Sequence, residues 1–333
     1  MLQNISVNRG RIGNMVKIAV SMGDPAGVGP ELLAKALAEK KFAGKCEFVL
    51  YGERSVLEEA LRRYSPEVDI DGVKIVESSN LIDFAEMKTG EADGVCGRAA
   101  FEAIRMAARS VIDGENDAIV TAPVNKYSVN LAGVDFSGHT EMIAEMCQCD
   151  DFAMMQSSGK LHVAFVTTHI PICEVSENIT IERILSVADM LTEALQSEGI
   201  AEPHIAVMAL NPHAGENGCM GREDEEITKV AVEILRKKGI CVDGPVVPDV
   251  LFVPGRYEKY DGILSMYHDQ GHIPFKMLAF DSGVNSTIGL PIIRCSPDHG
   301  SAFDIAWRSD GRCGTGSFFA AIELAVKRAE RKK

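Results

Sequence analysis

Residues 263–276 read Ile263-Leu264-Ser265-Met266-Tyr267-His268-Asp269-Gln270-Gly271-His272-Ile273-Pro274-Phe275-Lys276. The first five form a short apolar run of the kind that makes a buried strand. The run then breaks into an imidazole, a carboxylate, an amide and a glycine. A strand ending this way delivers polar groups to a sheet edge, where ligands bind in open α/β sheets. Lys276 follows beyond Pro274, which predicts a kink. The pattern recurs twice: Val163-Ala164-Phe165-Val166-Thr167-Thr168-His169, and residues 205–213 ending in Asn211-Pro212-His213. Three buried-strand patterns that each close on a histidine predict three imidazoles converging on one metal ion.

Outward from these stretches the chain alternates. Strands are expected over 16–22, 46–51, 73–76, 117–121, 161–168, 205–210, 261–267 and 287–295. Helices are expected over 32–41, 54–64, 97–113, 181–197, 222–238 and 317–331, with one more after Ser137-Gly138-His139-Thr140-Glu141. Strands alternating with helices indicate an α/β class with mostly parallel sheet. No internal repeat, low-complexity tract or flexible linker interrupts the pattern.

A chain of 333 residues suits two domains. Its net charge of −14 argues against nucleic acid or an anionic membrane as partner, since both reward a basic face. An anionic ligand would need local cations. The nine cysteines are scattered singly without C-x-x-C, as expected of reduced thiols in a cytoplasmic protein. No apolar run is long enough to span a bilayer. Residues 1–14 are polar, lack the apolar segment of a signal peptide, and are expected to form a disordered extension.

Neutral imidazole suits Zn, Co, Ni or Fe(II), and three protein ligands with an open position are a catalytic arrangement. Asp269, beside His268, could orient that ligand or contact substrate. His139 stands at a helix start, where backbone N–H groups favour an anion; a plain cap is the competing reading. Lys126, Lys276 and Arg294 each follow a strand-like run and could neutralise a phosphate or carboxylate, although each alone reads as a surface charge. Asn285 could donate to the same anion or simply form a turn. Residues 23–31 carry three glycines but neither G-x-G-x-x-G nor G-K-[ST], and residues 298–304 show only a polar, glycine-containing loop.

Seven motifs in order resemble the 4-hydroxythreonine-4-phosphate dehydrogenase family of pyridoxal phosphate biosynthesis. They are Met22-Gly23-Asp24-Pro25-Ala26-Gly27-Val28-Gly29-Pro30-Glu31, Thr121-Ala122-Pro123-Val124-Asn125-Lys126, Ser137-Gly138-His139-Thr140-Glu141, Thr167-Thr168-His169, Asn211-Pro212-His213-Ala214-Gly215-Glu216, Tyr267-His268-Asp269-Gln270-Gly271 and Gly289-Leu290-Pro291-Ile292-Ile293-Arg294. The resemblance runs from about residue 16 to 327.

It implies a two-domain α/β/α fold like isocitrate and isopropylmalate dehydrogenases, with the site in the interdomain cleft. One domain would comprise 15–130 plus 276–333 and the other 131–275. It implies a homodimer with shared active sites and a soluble, cytoplasmic enzyme. His169, His213 and His268 would bind one divalent metal (Zn, Mg, Mn or Co), the last from the other subunit. His139, Thr140, Lys276, Asn285 and Arg294 would hold the substrate. Asp249 and Asp269 match acidic positions near the metal, and with Lys126 they are candidates to take the alcohol proton. His299, Gly300, Ser301, Ala302 and Asp304 resemble the superfamily loop that holds NAD. Trp307 stands where that superfamily usually has glycine, a departure that bears on the path of the loop.

Two branches share these motifs. One acts on 4-phosphooxy-L-threonine. The other acts on D-threonate or D-erythronate 4-phosphate, by oxidative decarboxylation to dihydroxyacetone phosphate and CO2. Residues 271–276, 302–307 and Asn217 look more like the second. A phosphate acyltransferase, which needs neither NAD nor metal, and a non-enzymatic binding module are the remoter alternatives.

Overall fold

The computed structural model describes residues 15–308 and 312–332. The expected extension over 1–14 lies outside them. Among the described residues eleven strands form one sheet: β1 (Val16–Ser21), β2 (Cys46–Gly52), β3 (Lys74–Glu77), β4 (Ala118–Thr121), β5 (Ala153–Ser158), β6 (Leu161–Phe165), β7 (Ile205–Met208), β8 (Val242–Val246), β9 (Gly262–Ser265), β10 (Val284–Ile288) and β11 (Ile293–Pro297). Their spatial order is β3-β2-β1-β4-β11-β10-β5-β6-β9-β7-β8. The left five pair in parallel, as do the right four. Antiparallel β10 and β5 join the two halves.

The helices are α1 (Gly29–Ala38), α2 (Arg54–Tyr64), α3 (Gly94–Ile112), α4 (Lys126–Leu131), α5 (His139–Met146), α6 (Val175–Asn178), α7 (Ile181–Ser197), α8 (Lys229–Lys237), α9 (Pro248–Leu251), α10 (His268–Ala279) and α11 (Gly316–Lys332). Local chemistry sets several starts. Pro30 occupies the first turn of α1, where a missing N–H costs nothing. The Asp93 carboxylate accepts from the Val95 and Cys96 amides to cap α3, and Asn125 accepts from Ser128 to cap α4; each such cap is worth about 1 kcal/mol.

The inner strands β4, β7 and β9 are buried along their whole length because both faces of the sheet are covered there. Ile18, Val20, Ala118 and Val120 face one core, with α1, α2 and α11 residues; Ala19 and Ile119 face another, with α3 residues. In the right half Ile205, Val207 and Leu264 share a core with α7, while Ala206, Met208 and Ile263 share one with Phe275 of α10.

Several expectations need correcting. The strand-like stretch 287–295, broken by Gly289 and Pro291 in the sequence, is the turn and part of both arms of the hairpin β10–β11, with Gly289 at φ +88°. Strand β5, strand β8 and helix α4 carried too few periodic residues to be read. Pro274 does not end anything: α10 starts at His268 itself and runs through the proline to Ala279.

Candidate active site

Strands β6, β9 and β7 are parallel neighbours, so the segments after them leave the same sheet edge. The stretch 263–276 binds that edge together. Gln270 accepts from the Met266 amide at 2.8 Å and donates to the Ala209 carbonyl at 2.7 Å, tying α10 to the end of β7. Gly271 is packed so closely that a Cβ there would meet Phe165 at 2.7 Å and Ser265 at 2.9 Å.

His169 and His268 come together, their ring centroids 5.6 Å apart. The Asp269 carboxylate lies 2.7 Å from His268 Nδ1 and orients that ring. Behind it, His272 is sandwiched, 4.1 Å from the His268 ring and 4.5 Å from Phe165; burial pushes its pKa down to about 3. Burial, then His268, also lowers the pKa of His169. A neutral imidazole is the form that donates a lone pair to a metal. Thr168, His169, Tyr267, His268 and Asp269 border a cleft of about 260 Å³.

His213 is not with the pair. It sits on an irregular turn in which His213, Ala214, Glu216 and Asn217 all have left-handed φ, from 42° to 57°, a conformation L-residues adopt at a cost. The buried Asp224 carboxylate anchors the base of this turn by accepting from the Leu210 and Asn211 amides, both at 2.8 Å. His213 is exposed, and its nearest acid is Glu216 at 3.7 Å. Among the described residues no group of three or more His, Cys, Asp or Glu is close enough to hold a metal ion. The resemblance implied that His268 comes from the other subunit, whereas one chain brings His268 together with His169 and leaves His213 apart. Asp249, exposed on α9, borders neither this cleft nor the next.

A second cleft, of about 360 Å³, adjoins the first at His169. Lys126, His139, Thr140, Lys276, Asn285, Arg294, His299 and Gly300 all border it. In a chain of net charge −14, three cations converge on one cavity. Arg294 is buried; its Nη2 donates to Thr121 Oγ1 at 3.1 Å and its Nη1 to Thr287 Oγ1 at 3.3 Å, leaving Nε without a partner. Burial lowers its pKa only to about 10, so it stays cationic at neutral pH. Thr287 Oγ1 lies 3.5 Å from Thr140 Oγ1, which extends the network to the start of α5. Desolvation, with Arg294 and Lys126 close by, pushes His139 down to about 3. Its Nε2 and Asn285 Oδ1 are buried without partners. Uncommitted buried polar atoms beside cations are what an anionic, hydroxyl-bearing ligand would satisfy.

Of the loop 299–304, His299 and Gly300 border the second cleft; Ala302 and the exposed Asp304 do not. Ser301 anchors the loop: its carbonyl accepts from Val28 N at 3.0 Å. A Cβ on Gly27 would stand 2.8 Å from that carbonyl, so only glycine allows the approach. Trp307 takes φ +61°, the conformation that glycine usually supplies, and its Nε1 donates to the Pro25 carbonyl at 2.9 Å. Its ring lies 4.7 Å from that of Phe84. Nothing lies within 4 Å of where a Gly300 Cβ would be, so this side of the cleft is open.

Sequence reasoning missed Thr121, Thr287 and Asp298, which hold the basic side chains. Asp298 stood in a polar turn already noted. Thr287 sat in a strand run with no polar signal of its own.

Residues 44–325 match the family described as pyridoxal phosphate biosynthetic protein PdxA. The chain belongs to this family. It is 41% identical to 4-hydroxythreonine-4-phosphate dehydrogenase of Desulforapulum autotrophicum, covering 95% of this chain and 96% of that one. It is 39% identical to D-threonate 4-phosphate dehydrogenase of Pectobacterium atrosepticum, covering 94% and 99%. The crystal structure of 4-hydroxythreonine-4-phosphate dehydrogenase from Klebsiella pneumoniae superposes with a TM-score of 0.82 at 39% identity, covering 95% and 98%. A β-decarboxylating dehydrogenase from Thermococcus kodakarensis, TM-score 0.50 and 16% identical, shares the fold alone. As a PdxA-family member the chain is a dehydrogenase, which removes the acyltransferase and non-enzymatic readings. Among its described residues no helix is long and apolar enough to cross a membrane.

Proposed function

We propose that this PdxA-family chain is an NAD-dependent, divalent-metal-dependent dehydrogenase. It would oxidise and decarboxylate a four-carbon 3-hydroxy acid 4-phosphate, D-threonate or D-erythronate 4-phosphate, to dihydroxyacetone phosphate and CO2. The observation that carries this reading is the convergence of Lys126, Lys276 and Arg294 on one cleft that opens at His169 toward the His169–His268 pair. A substrate with an anion at each end and hydroxyls between them suits that spacing of charge and lone pairs. When bound, the metal supplies Lewis acidity at the substrate oxygens and NAD accepts hydride.

The chain's own residues do the rest. Arg294 and Lys276 neutralise the phosphate, and the hydroxyls of Thr121 and Thr287 hold the guanidinium in place. Fixing the phosphate fixes the reacting carbon, a positioning effect that contributes rate. His139, kept neutral by its surroundings, would offer Nε2 to a substrate hydroxyl. Lys126 and Asp269 remain candidates to take the alcohol proton; Asp249 lies too far out within one chain to be one unaided. His299, Gly300, Ser301, Ala302 and Asp304 would hold NAD, with His299 and Gly300 at the cleft and Ser301 anchoring their loop.

Because His213 stands apart from the other two imidazoles, we propose that the metal site is shared between two copies of the chain in a homodimer. Two domains, 15–130 with 276–333 and 131–275, would close on the cleft. Nine cysteines without a disulfide fit a reducing cytoplasm.

The second reading is 4-phosphooxy-L-threonine as substrate. The 41% identity to an enzyme named for that substrate favours it, against 39% to one named for D-threonate 4-phosphate. NADH formation measured with each phosphorylated acid, with and without divalent metal, decides between them. No NADH from any of the three would refute both.

A further inference from the structure

Asp298 has no place in the chemistry above, yet it touches both halves of it. It follows β11 directly and precedes His299 in the cofactor segment. Its Oδ2 lies 3.1 Å from the Lys276 ammonium, and its own carbonyl is 3.5 Å from the same Nζ. Its Oδ1 accepts from Nε2 of the fully buried Gln156 on β5 at 2.9 Å. Its backbone N–H donates to Ser317 Oγ at 2.9 Å, and Ser317 donates in turn to the Gly283 carbonyl at 2.5 Å. A carboxylate held on two sides by rigid partners gives a flexible lysine one address. Lysine otherwise carries a mobile point charge on a four-carbon stem.

We infer that Asp298 is a positioning residue that sets Lys276 for the anionic end of the substrate and couples that site to the segment 299–304. The inference rests on the functional reading above and deepens it. The physical basis is that one carboxylate is shared. Its Lys276 contact faces the anion site, while its backbone begins the loop whose His299 and Gly300 border the same cleft. A change at Lys276 therefore alters the forces on Asp298, and through it the loop. Linkage requires the reciprocal effect to be equal for binding free energies.

A double-mutant cycle tests this with Lys276→Met, Asp298→Asn and the pair. Two readouts are taken on the metal-loaded protein: KM for the phosphorylated acid, and Kd for NADH from its fluorescence. Asp298→Asn alone is expected to raise KM about 10-fold with a smaller change in kcat, and to add less than about 2-fold in the Lys276→Met background. Lys276→Met is expected to change NADH Kd by at least about 3-fold in the wild-type background and not in the Asp298→Asn background. Additive effects on either readout overturn the inference, because a merely structural carboxylate acts independently of Lys276. If Asp298→Asn does not fold, Ser317→Ala, which removes the bonds to the Asp298 N–H and the Gly283 carbonyl and leaves both charges of the Asp298–Lys276 pair in place, takes its place in the cycle with the same expectations. Absence of saturable NADH binding to the unaltered protein overturns the functional reading and this inference together. Saturable binding with additive effects overturns this inference alone.

Discussion

His169 and His268 face each other with ring centroids 5.6 Å apart, although 98 residues separate them in the chain. The pairing arises because β6 and β9 are parallel neighbours, with Phe165 beside Ser265. Each strand ends a few residues before its histidine. His213 follows β7, the next parallel strand, but its left-handed turn carries it away from the pair.

The separation of His213 leads to a complementation test. His169→Ala and His213→Ala are each expected to lose bound metal and at least about 100-fold in turnover, with an unchanged circular dichroism spectrum. Co-refolding the two inactive variants should restore up to about a quarter of wild-type activity, since a statistical mixture of shared sites leaves some with every ligand intact. No recovery, in a mixture shown to exchange subunits, would mean each site is built from one chain.

Arg294 is the deepest cation of the second cleft. Arg294→Ala should raise KM for the phosphorylated substrate by roughly 100-fold, as expected for a lost charge-assisted contact of about 3 kcal/mol. The kcat should fall less. An unchanged KM would show that the phosphate binds elsewhere. Arg294→Lys should recover only part of the loss, because a point charge cannot reach both threonine hydroxyls.

Asp24 provides a stability test. It is buried, Oδ1 accepts from the Ala26 amide at 3.0 Å, Oδ2 has no partner, and burial raises its pKa to about 6. The folded state therefore holds a proton that the unfolded chain releases at lower pH. That contribution is complete below the unfolded value of 3.8 and is lost as pH rises toward 6. Asp24→Asn should remove this pH dependence and be more stable than the wild type above pH 6, by on the order of 2–3 kcal/mol. Urea denaturation at several pH values measures it; a constant difference from pH 4 to 7 would refute the assignment.

Trp307 is the chain's single tryptophan. Trp307→Phe removes the bond to the Pro25 carbonyl and should cost about 1 kcal/mol in denaturant unfolding. Because Trp307 follows closely on the segment proposed for NAD, its fluorescence should fall on NADH addition in the wild type. No change at saturating NADH would place the cofactor away from this segment.

The sequence by itself determined the α/β class, the parallel strands buried on both faces, and which residues are candidates to carry the chemistry. Those features are local: apolar runs at 163–166, 205–210 and, apart from Ser265, 263–267, with polar groups close behind them. It also marked Lys126, His139, Lys276 and Arg294 as cations or imidazoles at element ends. Only tertiary structure decided which of them meet. The β10–β11 hairpin brings Arg294 against Thr121 and Thr287, a set of contacts that strand periodicity cannot encode. Backbone torsion placed His213 apart, and period-based reading sees hydrophobicity rather than φ. Trp307 in a glycine's conformation has the same cause: Pro25, Phe84 and Tyr64 supply the packing that offsets its strain, and they lie more than two hundred residues away.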